Sequence, residues 1–301
     1  MHDGPMVNSP ATGLLAIDVG NSRVKLGWYA PRDVCFTPAP MALSSMKPAP
    51  AKSSSPHSIG LPMPDDRLEL ESRTLEHPLA GVLLTKWLDS LPLSSTRCLI
   101  ASVQRAKLGQ LLDLLASYPA ADRLLPPEVL RHDKLPIVVR TDQPEQVGID
   151  RLLNGVSANY LRQPQRPAII VDMGSAITVD RVEMDGAFVG GAILPGLALS
   201  ACALHMGTDL LPQILPAATE PQPAVVGKNT TASMAAGLYW GAIGAVREMV
   251  RQHRVEGDSP CEWFLTGGDA LRVADELLSH DRAARYQAQM VLAGIWLVAQ
   301  E

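Results

Sequence analysis

Two short segments of this sequence end an apolar run in an aspartate and continue through a glycine and hydroxyl-bearing residues. They are Leu14–Lys25 and Ala168–Asp180. In each, the apolar run predicts a buried strand, and the residues after the turn predict a second strand that returns beside it. The glycine lets other groups approach the backbone, and the N–H and O–H donors of the turn can converge on an anion. The chemistry that such a turn favours is phosphate binding.

The recurrence of this pattern is more informative than either copy. One Asp-x-Gly is typical of ordinary turns, but here Asp18 and Asp172 each close an apolar strand and each open a predicted hairpin. Two such copies indicate an internal duplication. We therefore expect two similar lobes that close on one ligand.

Phosphoryl transfer requires positioning and charge neutralisation, and the sequence holds residues for both. Lys25 follows the first turn and can reach phosphate oxygens, although a solvated strand lysine is the simpler interpretation. Asp18 and Asp172 end buried strands, where an ionised carboxylate needs a cation or turn amides; we favour a cation for at least one. Asp150, at a predicted helix start, is either an N-cap or a general base, and Arg151 can bind an anionic group.

Other motifs are weaker or missing. Gly267 and Gly268 stand between a predicted strand and helix, where amides can meet a nucleotide or simply form a tight turn. The sequence has no Gly-x-x-x-x-Gly-Lys-Ser/Thr segment, which argues against a P-loop kinase. The seven histidines show no metal-ligand spacing, and only His205 lies near a candidate pocket.

The elements that must position these residues alternate between strands and helices, which favours an α/β arrangement. We expect a disordered leader over 1–13, an N-terminal lobe over 14–147 and a C-terminal lobe over 148–301 that carries a dimer interface. Residues 37–66 are rich in proline and serine and predict a surface insertion in the first lobe. The last two helices are expected over 271–278 and 283–300.

Composition narrows the class of protein. The chain has 301 residues, 47% of them hydrophobic, and a formal net charge of -5. The acidic balance argues against nucleic-acid binding, and no apolar run reaches the roughly 20 residues that cross a bilayer. The four cysteines are scattered without Cys-x-x-Cys spacing, as in a reduced protein. We expect a cytoplasmic protein without membrane or nucleic-acid partners.

Taken together, the motifs resemble the type III pantothenate kinases of the acetate and sugar kinase, chaperone and actin superfamily. The resemblance runs from about Leu14 to the C-terminus, without the insertion. It rests on six ordered segments: Asp18–Lys25, Gly148–Arg151, Asp172–Thr178, Gly190–Gly196, Gly227–Thr230 and Thr266–Ala270. It implies two duplicated ribonuclease H-like, actin-like ATPase lobes, each a mixed sheet flanked by helices.

The resemblance also implies an activity and a set of roles. The activity is ATP-dependent phosphorylation of pantothenate to 4'-phosphopantothenate, the first step of coenzyme A biosynthesis, by a homodimer. Asp150 would be the catalytic base, and Asp172 would hold a monovalent cation, K⁺ or NH₄⁺, with Mg²⁺ accompanying the nucleotide. ATP would be bound by Asp18, Val19, Gly20, Asn21, Ser22, Arg23, Val24, Lys25, Ser175, Gly267 and Gly268. Pantothenate would be bound by Gly148, Ile149, Asp150, Arg151, Gly191, Ile193 and Thr230, the last from the partner subunit.

Two alternatives stay open. One is a non-catalytic regulatory or accessory protein that keeps the fold, and the other is a kinase of another small hydroxy substrate. Retention of Asp18, Lys25, Asp150 and Asp172 argues against the first. Thr141 stands where many relatives have a tyrosine, a departure that affects part of the predicted pantothenate pocket.

Overall fold

The computed structural model describes residues 12–31, 60–72, 75–214, 222–254, 261–279, 281 and 283–301. Residues 1–11 of the predicted leader and 37–59 of the predicted insertion lie outside this part of the chain. Within it, no helix is long and apolar enough to cross a membrane.

The first half of the chain forms a mixed five-stranded sheet. Its spatial order is β3-β2-β1-β4-β5; β1 pairs antiparallel with β2 and parallel with β4. The strands are β1 (Leu14–Val19), β2 (Arg23–Tyr29), β3 (Asp66–Glu71), β4 (Arg97–Ser102) and β5 (Glu128–Val129), and the helices are α1 (Pro78–Ser90) and α2 (Arg105–Ala116).

The second half forms another five-stranded sheet, ordered β10-β9-β6-β7-β8. Its strands are β6 (Ala168–Met173), β7 (Ala176–Val182), β8 (Phe188–Pro195), β9 (Glu262–Thr266) and β10 (Ala284–Tyr286). Its helices are α3 (Ile149–Leu161), α4 (Leu197–Met206), α5 (Thr230–His253), α6 (Ala270–Leu278) and α7 (Met290–Val298).

The two sheets have the same topology. In each, three consecutive strands form an antiparallel meander, and the fourth strand pairs parallel with the first on its other side. The fifth strand extends each sheet in parallel beyond the fourth. The duplication that the two Asp-x-Gly segments predict is therefore confirmed. So is the fold class, two mixed sheets flanked by helices.

The central strands β1, β4, β6 and β9 are apolar on both faces because each sheet is covered on both sides at its centre. Leu15 and Ile17 of β1 pack into a core under α1 and α2, whereas Leu14 and Ala16 face a second core. A sheet buried on both faces needs such a continuous apolar run rather than strict alternation.

Helices α3 and α7 link the two halves of the chain. They pack closely, because Gly294 of α7 leaves no room for a side chain against the backbone of Leu153 in α3. Leu292 of α7 and Leu153 share one core cluster with Leu14 of β1. The last helix thus packs against the first sheet, and the predicted division at residues 147 and 148 stays a prediction.

One of the two helices expected at the end of the chain is wrong. The helix predicted over 283–300 is instead β10 followed by α7. The segment Ala284–Tyr286 pairs with β9, and Gln289 then takes a left-handed conformation (φ 55°) immediately before α7.

Candidate active site

The two duplicated turns face one another. The Ser22 Oγ and Ser175 Oγ atoms are 2.5 Å apart, although 153 positions separate them in sequence. Each turn is closed by its own backbone bond, from Gly20 N to Arg23 O (2.9 Å) and from Gly174 N to Ala176 O (3.0 Å). The hydroxyl and amide donors of both halves therefore converge on one place, as phosphate binding requires.

Beside these turns lie Asp18 and Asp172, the carboxylates that end β1 and β6. Burial raises the pKa of Asp18 to about 7, the Lys25 ammonium acts against that rise, and the nearby Asp150 and Asp172 add to it. Burial also raises the pKa of Asp172, again opposed by Lys25. Lys25 lies opposite Asp18 in the β1–β2 register. The Lys25 ammonium thus interacts electrostatically with two carboxylates from different sheets, Asp18 and Asp172.

Asp150 lies in the first turn of α3 but does not cap it. Gly148 occupies the N-cap position, and Asp150 Oδ1 accepts a hydrogen bond from the Arg151 backbone N at 2.9 Å. Burial raises the pKa of Asp150, and the charge of Asp172 raises it further. A carboxylate that is more basic than usual and lies near the two duplicated turns suits a general base.

Asn154 is a site residue that the sequence reasoning missed. It is 1% exposed, and its Nδ2 donates to Asp172 Oδ2 at 2.8 Å. Its Oδ1 is buried without a hydrogen-bond partner. The signal was available, because Asn154 follows Asp150 by four residues and such residues share one face of a helix.

Arg151 is held by Asp180, a second residue that the sequence reasoning gave no role. Arg151 Nε donates to the two carboxylate oxygens of Asp180 at 3.0 and 3.2 Å, and Nη2 donates to Oδ1 as well. The guanidinium lies 5.5 Å from the ring centroid of Phe188. A buried aspartate inside the apolar strand β7 was the available signal.

The Thr266–Gly268 turn packs against the turn between β6 and β7. Gly267 has a φ of +102°, and a Cβ at this position would lie 2.5 Å from Asp172 Oδ1. Asp269 N donates to Met173 O at 2.9 Å. At Gly268 a Cβ would meet no atom within 4 Å. The turn therefore combines one glycine that the geometry requires with one that faces open space.

Other residues that were predicted to bind ATP or pantothenate differ in how far their side chains are exposed. The side chains of Val19, Val24 and Ile149 are buried in the core, so these residues offer mainly their backbone. Asn21 is exposed, and Arg23 forms an ion pair with Glu69.

The predicted substrate residues of the second half occupy regular elements. Gly191 and Ile193 belong to strand β8, and Ile193 is 64% exposed. Thr230 is exposed at the start of α5. Thr141 is partly buried near Gly190, and its Oγ1 has no hydrogen-bond partner.

Comparison with solved structures finds chains of similar length and low identity. An ethanolamine utilization protein EutJ from Carboxydothermus hydrogenoformans aligns over 96% of this chain and 90% of its own, at 14% identity and a TM-score of 0.47. A psk41 ParM protein aligns over 96% and 98%, at 11% identity and a TM-score of 0.41.

Curated relatives are much closer in sequence. A type III pantothenate kinase of Cereibacter sphaeroides is 47% identical over 135 residues, which cover 45% of this chain and 51% of that protein. One from Phenylobacterium zucineum is 36% identical over 173 residues, which cover 58% and 64%. The chain thus spans between half and two thirds of the length of these relatives.

The family model for type III pantothenate kinase matches residues 66–252, more than half of the chain. Four of the six segments that carry the resemblance in sequence lie within this match: Gly148–Arg151, Asp172–Thr178, Gly190–Gly196 and Gly227–Thr230. This chain belongs to the type III pantothenate kinase family.

Proposed function

We propose that this protein is an ATP-dependent kinase that converts pantothenate to 4'-phosphopantothenate, the first step of coenzyme A biosynthesis. The observation that carries the proposal is the meeting of the two duplicated turns at Ser22 and Ser175, with Asp150 among the carboxylates beside them. Family membership supplies the substrate class.

The nucleotide binds between the two turns in this proposal. Residues 18–25 and Ser175 surround its phosphates with amide and hydroxyl donors, and the Gly267–Gly268 turn lies against the nucleotide. Lys25 neutralises charge on the β- and γ-phosphate oxygens. Its electrostatic interaction with both Asp18 and Asp172 supports this role, because it puts the ammonium close to the ends of β1 and β6, where the turns begin.

Asp150 is the general base of the transfer. Its carboxylate accepts the proton of the pantothenate hydroxyl while that oxygen forms a bond to the γ-phosphorus. The bond from the γ-phosphorus to the β,γ-bridging oxygen breaks, and ADP leaves. The raised pKa of Asp150 supports the assignment, since a base is more effective when its pKa lies nearer the working pH.

The acceptor lies on the side of α3 and β8. Gly148, Ile149, Asp150, Arg151, Gly191 and Ile193 line its pocket, and Thr230 of a second subunit completes it. Arg151 supports this arrangement, because one edge of its guanidinium is already occupied by Asp180 and the other is free for an anionic group.

The donor set around the turns fits cations. Mg²⁺ binds one or two carboxylates together with phosphate oxygens, and Asp18 and Asp172 are placed for it; when bound, Mg²⁺ neutralises phosphate charge. A monovalent cation, K⁺ or NH₄⁺, fits Asp172, since Asn154 Oδ1 is a buried oxygen nearby without a partner.

We also infer a homodimer in the cytoplasm. Large exposed apolar side chains follow one another along β8, α4 and the segments after it: Ile193, Leu199, Met206, Leu210, Val225 and Val226. Apolar surface of this kind is typical of an interface between subunits. The cytoplasmic location follows from the proposed step, whose ATP is a cytoplasmic substrate.

A coupled assay of ADP release tests the function. Pantothenate is compared with a panel of sugars and short hydroxy acids as acceptors, each with ATP, and we expect turnover only when pantothenate is the acceptor. Asp150→Asn should lower kcat by about 10²- to 10⁴-fold while ATP binding is retained. Turnover with another acceptor, or no turnover at all, contradicts the proposed function. Near-normal turnover by Asp150→Asn contradicts the role of Asp150 as the general base.

The proposed monovalent cation at Asp172 is tested by comparing rates in potassium and sodium buffers of matched ionic strength. Equal rates contradict the proposed cation.

A further inference from the structure

Asp180 is a buried carboxylate whose oxygens accept hydrogen bonds from Arg151. It lies on β7, is 1% exposed, and receives hydrogen bonds from Arg151 Nε and Nη2. Nε and Nη2 form one edge of the planar guanidinium, so the carboxylate grips the side of the group and fixes its plane.

This grip leaves the other edge of the guanidinium free. That edge consists of Nη1 and the second hydrogen of Nη2, and Nη1 has no partner among the residues that the structure describes. A guanidinium edge with two parallel N–H groups matches a carboxylate. The Arg151 side chain is 15% exposed, whereas the Asp180 side chain is 1% exposed, so Arg151 is the member of the pair that solvent can reach.

The neighbours of the pair restrict it to one pose. Gly191 lies opposite Asp180 in the β7–β8 register. A Cβ at Gly191 would lie 2.5 Å from Asp180 Oδ1 and would also meet Val179 O. Phe188, also on β8, packs under the guanidinium. The glycine provides the space that the carboxylate needs, and the ring supports the cation.

Stability alone is a weak explanation for this pair. Removing two charges from water costs about as much as their attraction returns, so a buried ion pair often adds little to folding. Burial indeed raises the pKa of Asp180, with Arg151 acting against the rise. An arrangement that is costly to bury and fixed in direction is better explained by what the free edge does.

We propose that Asp180 is a positioning residue that aims the free edge of Arg151 at the carboxylate of the acceptor substrate. The proposal rests on the proposed function, in which the acceptor is a hydroxy acid bound beside Asp150. Asp180 does not touch the substrate and acts through Arg151.

The test is steady-state kinetics of Asp180→Asn. The amide presents an N–H group where Arg151 needs an acceptor, so the guanidinium loses its fixed plane. We expect the KM for pantothenate to rise at least about tenfold, with kcat within about threefold and the KM for ATP within about twofold of wild type. An unchanged KM for pantothenate overturns the proposal, and so does an equal rise in both KM values.

Two further variants make the result specific. Asp185→Asn is the matched control, because Asp185 pairs with Arg140 at the surface with both side chains 53% exposed; its kinetics should equal wild type. Arg151→Lys keeps the charge but has no planar edge, and it should raise the KM for pantothenate as Asp180→Asn does. If Asp180→Asn does not fold, an unchanged KM in Arg151→Lys still overturns the proposal.

The proposal can fail separately from the proposed function. If the wild-type protein shows no pantothenate-dependent turnover, the kinase assignment fails, and the crystal structure of Asp180→Asn still decides the positioning role. We expect Arg151 to leave its pose in that structure. Arg151 in an unchanged pose overturns the inference.

Discussion

At the scale of single residues, the site concentrates negative charge. Asp18, Asp150 and Asp172 act on one another, and Lys25 is the cation that opposes two of them. A protein without nucleotide keeps these carboxyl groups close together at a cost to its stability. Such a cost is common at sites that are built to receive a ligand.

The pKa of Asp18 predicts how this cost depends on pH. Because the folded-state pKa of about 7 lies above the ordinary 3.8, the folded protein binds this proton more tightly than the unfolded chain. The contribution to stability is complete below pH 3.8 and is lost as pH rises through 7. Asp18→Asn should therefore raise the free energy of unfolding at pH 8, by up to about 4 kcal/mol, and change it little at pH 4.

Chemical denaturation without nucleotide or divalent cation measures this difference. The surface variant Asp185→Asn is the control, since no gain at pH 8 is expected from an exposed carboxylate whose pKa is lowered by its hydrogen bonds. A gain for Asp18→Asn of the same size at pH 4 and pH 8 would mean that ionisation is not the cause. The same substitution should lower turnover, because the carboxylate belongs to the proposed nucleotide site.

At the scale of elements, one helix and one turn organise the site. The first turns of α3 carry Asp150, Arg151 and Asn154. One helix therefore fixes the relative positions of the proposed base, the proposed substrate-binding arginine and the asparagine that donates to Asp172. The turn after β9 locks this arrangement from the other side, because Gly267 packs against Asp172 Oδ1.

Gly267→Ala and Gly268→Ala should therefore differ sharply. At Gly267 the positive φ and the contact with Asp172 predict a loss of at least about 2 kcal/mol in the free energy of unfolding. At Gly268, where a Cβ meets nothing within 4 Å, the change should stay within about 0.5 kcal/mol. Urea unfolding of both variants measures the contrast, and equal losses would show that the turn does not depend on Gly267.

The elements also show where prediction from sequence succeeds. The start of α5 carries a local signal, because the Asn229 side chain caps the helix by accepting a hydrogen bond from the Ala232 N–H. Strand β10 was predicted as part of a helix because three residues carry little periodic signal, and its pairing partner β9 lies about twenty residues earlier in the chain. Strand β8 extends through Pro195 because β7 pairs with it as far as Ala176.

At the scale of the whole molecule, the proposed dimer makes a clear prediction. Light scattering should give twice the chain mass at micromolar concentration. Leu199→Glu, on the exposed apolar stretch of α4, should shift the protein to monomer and lower pantothenate turnover, since charge is unfavourable at an apolar interface.

The chain offers a matched control for this substitution. Leu271 on α6 is 68% exposed and lies outside the stretch from Ile193 to Val226, so Leu271→Glu should remain dimeric and active. A wild-type monomer, or a Leu199→Glu dimer, contradicts the proposed interface.

The sequence by itself determined the duplication, the α/β class and the positions of both Asp-x-Gly turns. These are local signals: an apolar strand that ends in Asp-x-Gly needs no distant residue to be recognised. Two such turns also predicted a shared ligand. The Ser22 and Ser175 hydroxyls lie within hydrogen-bonding distance of each other, and the ligand itself stays a prediction.

Only the tertiary structure decided which side chains complete the site. The contacts of Asn154 with Asp172 and of Asp180 with Arg151 join residues 18 and 29 positions apart. The raised pKa of Asp18 depends on burial and on carboxylates from the other half of the chain. Side-chain contacts and pKa shifts of this kind arise from three-dimensional proximity and desolvation, which no local sequence pattern encodes.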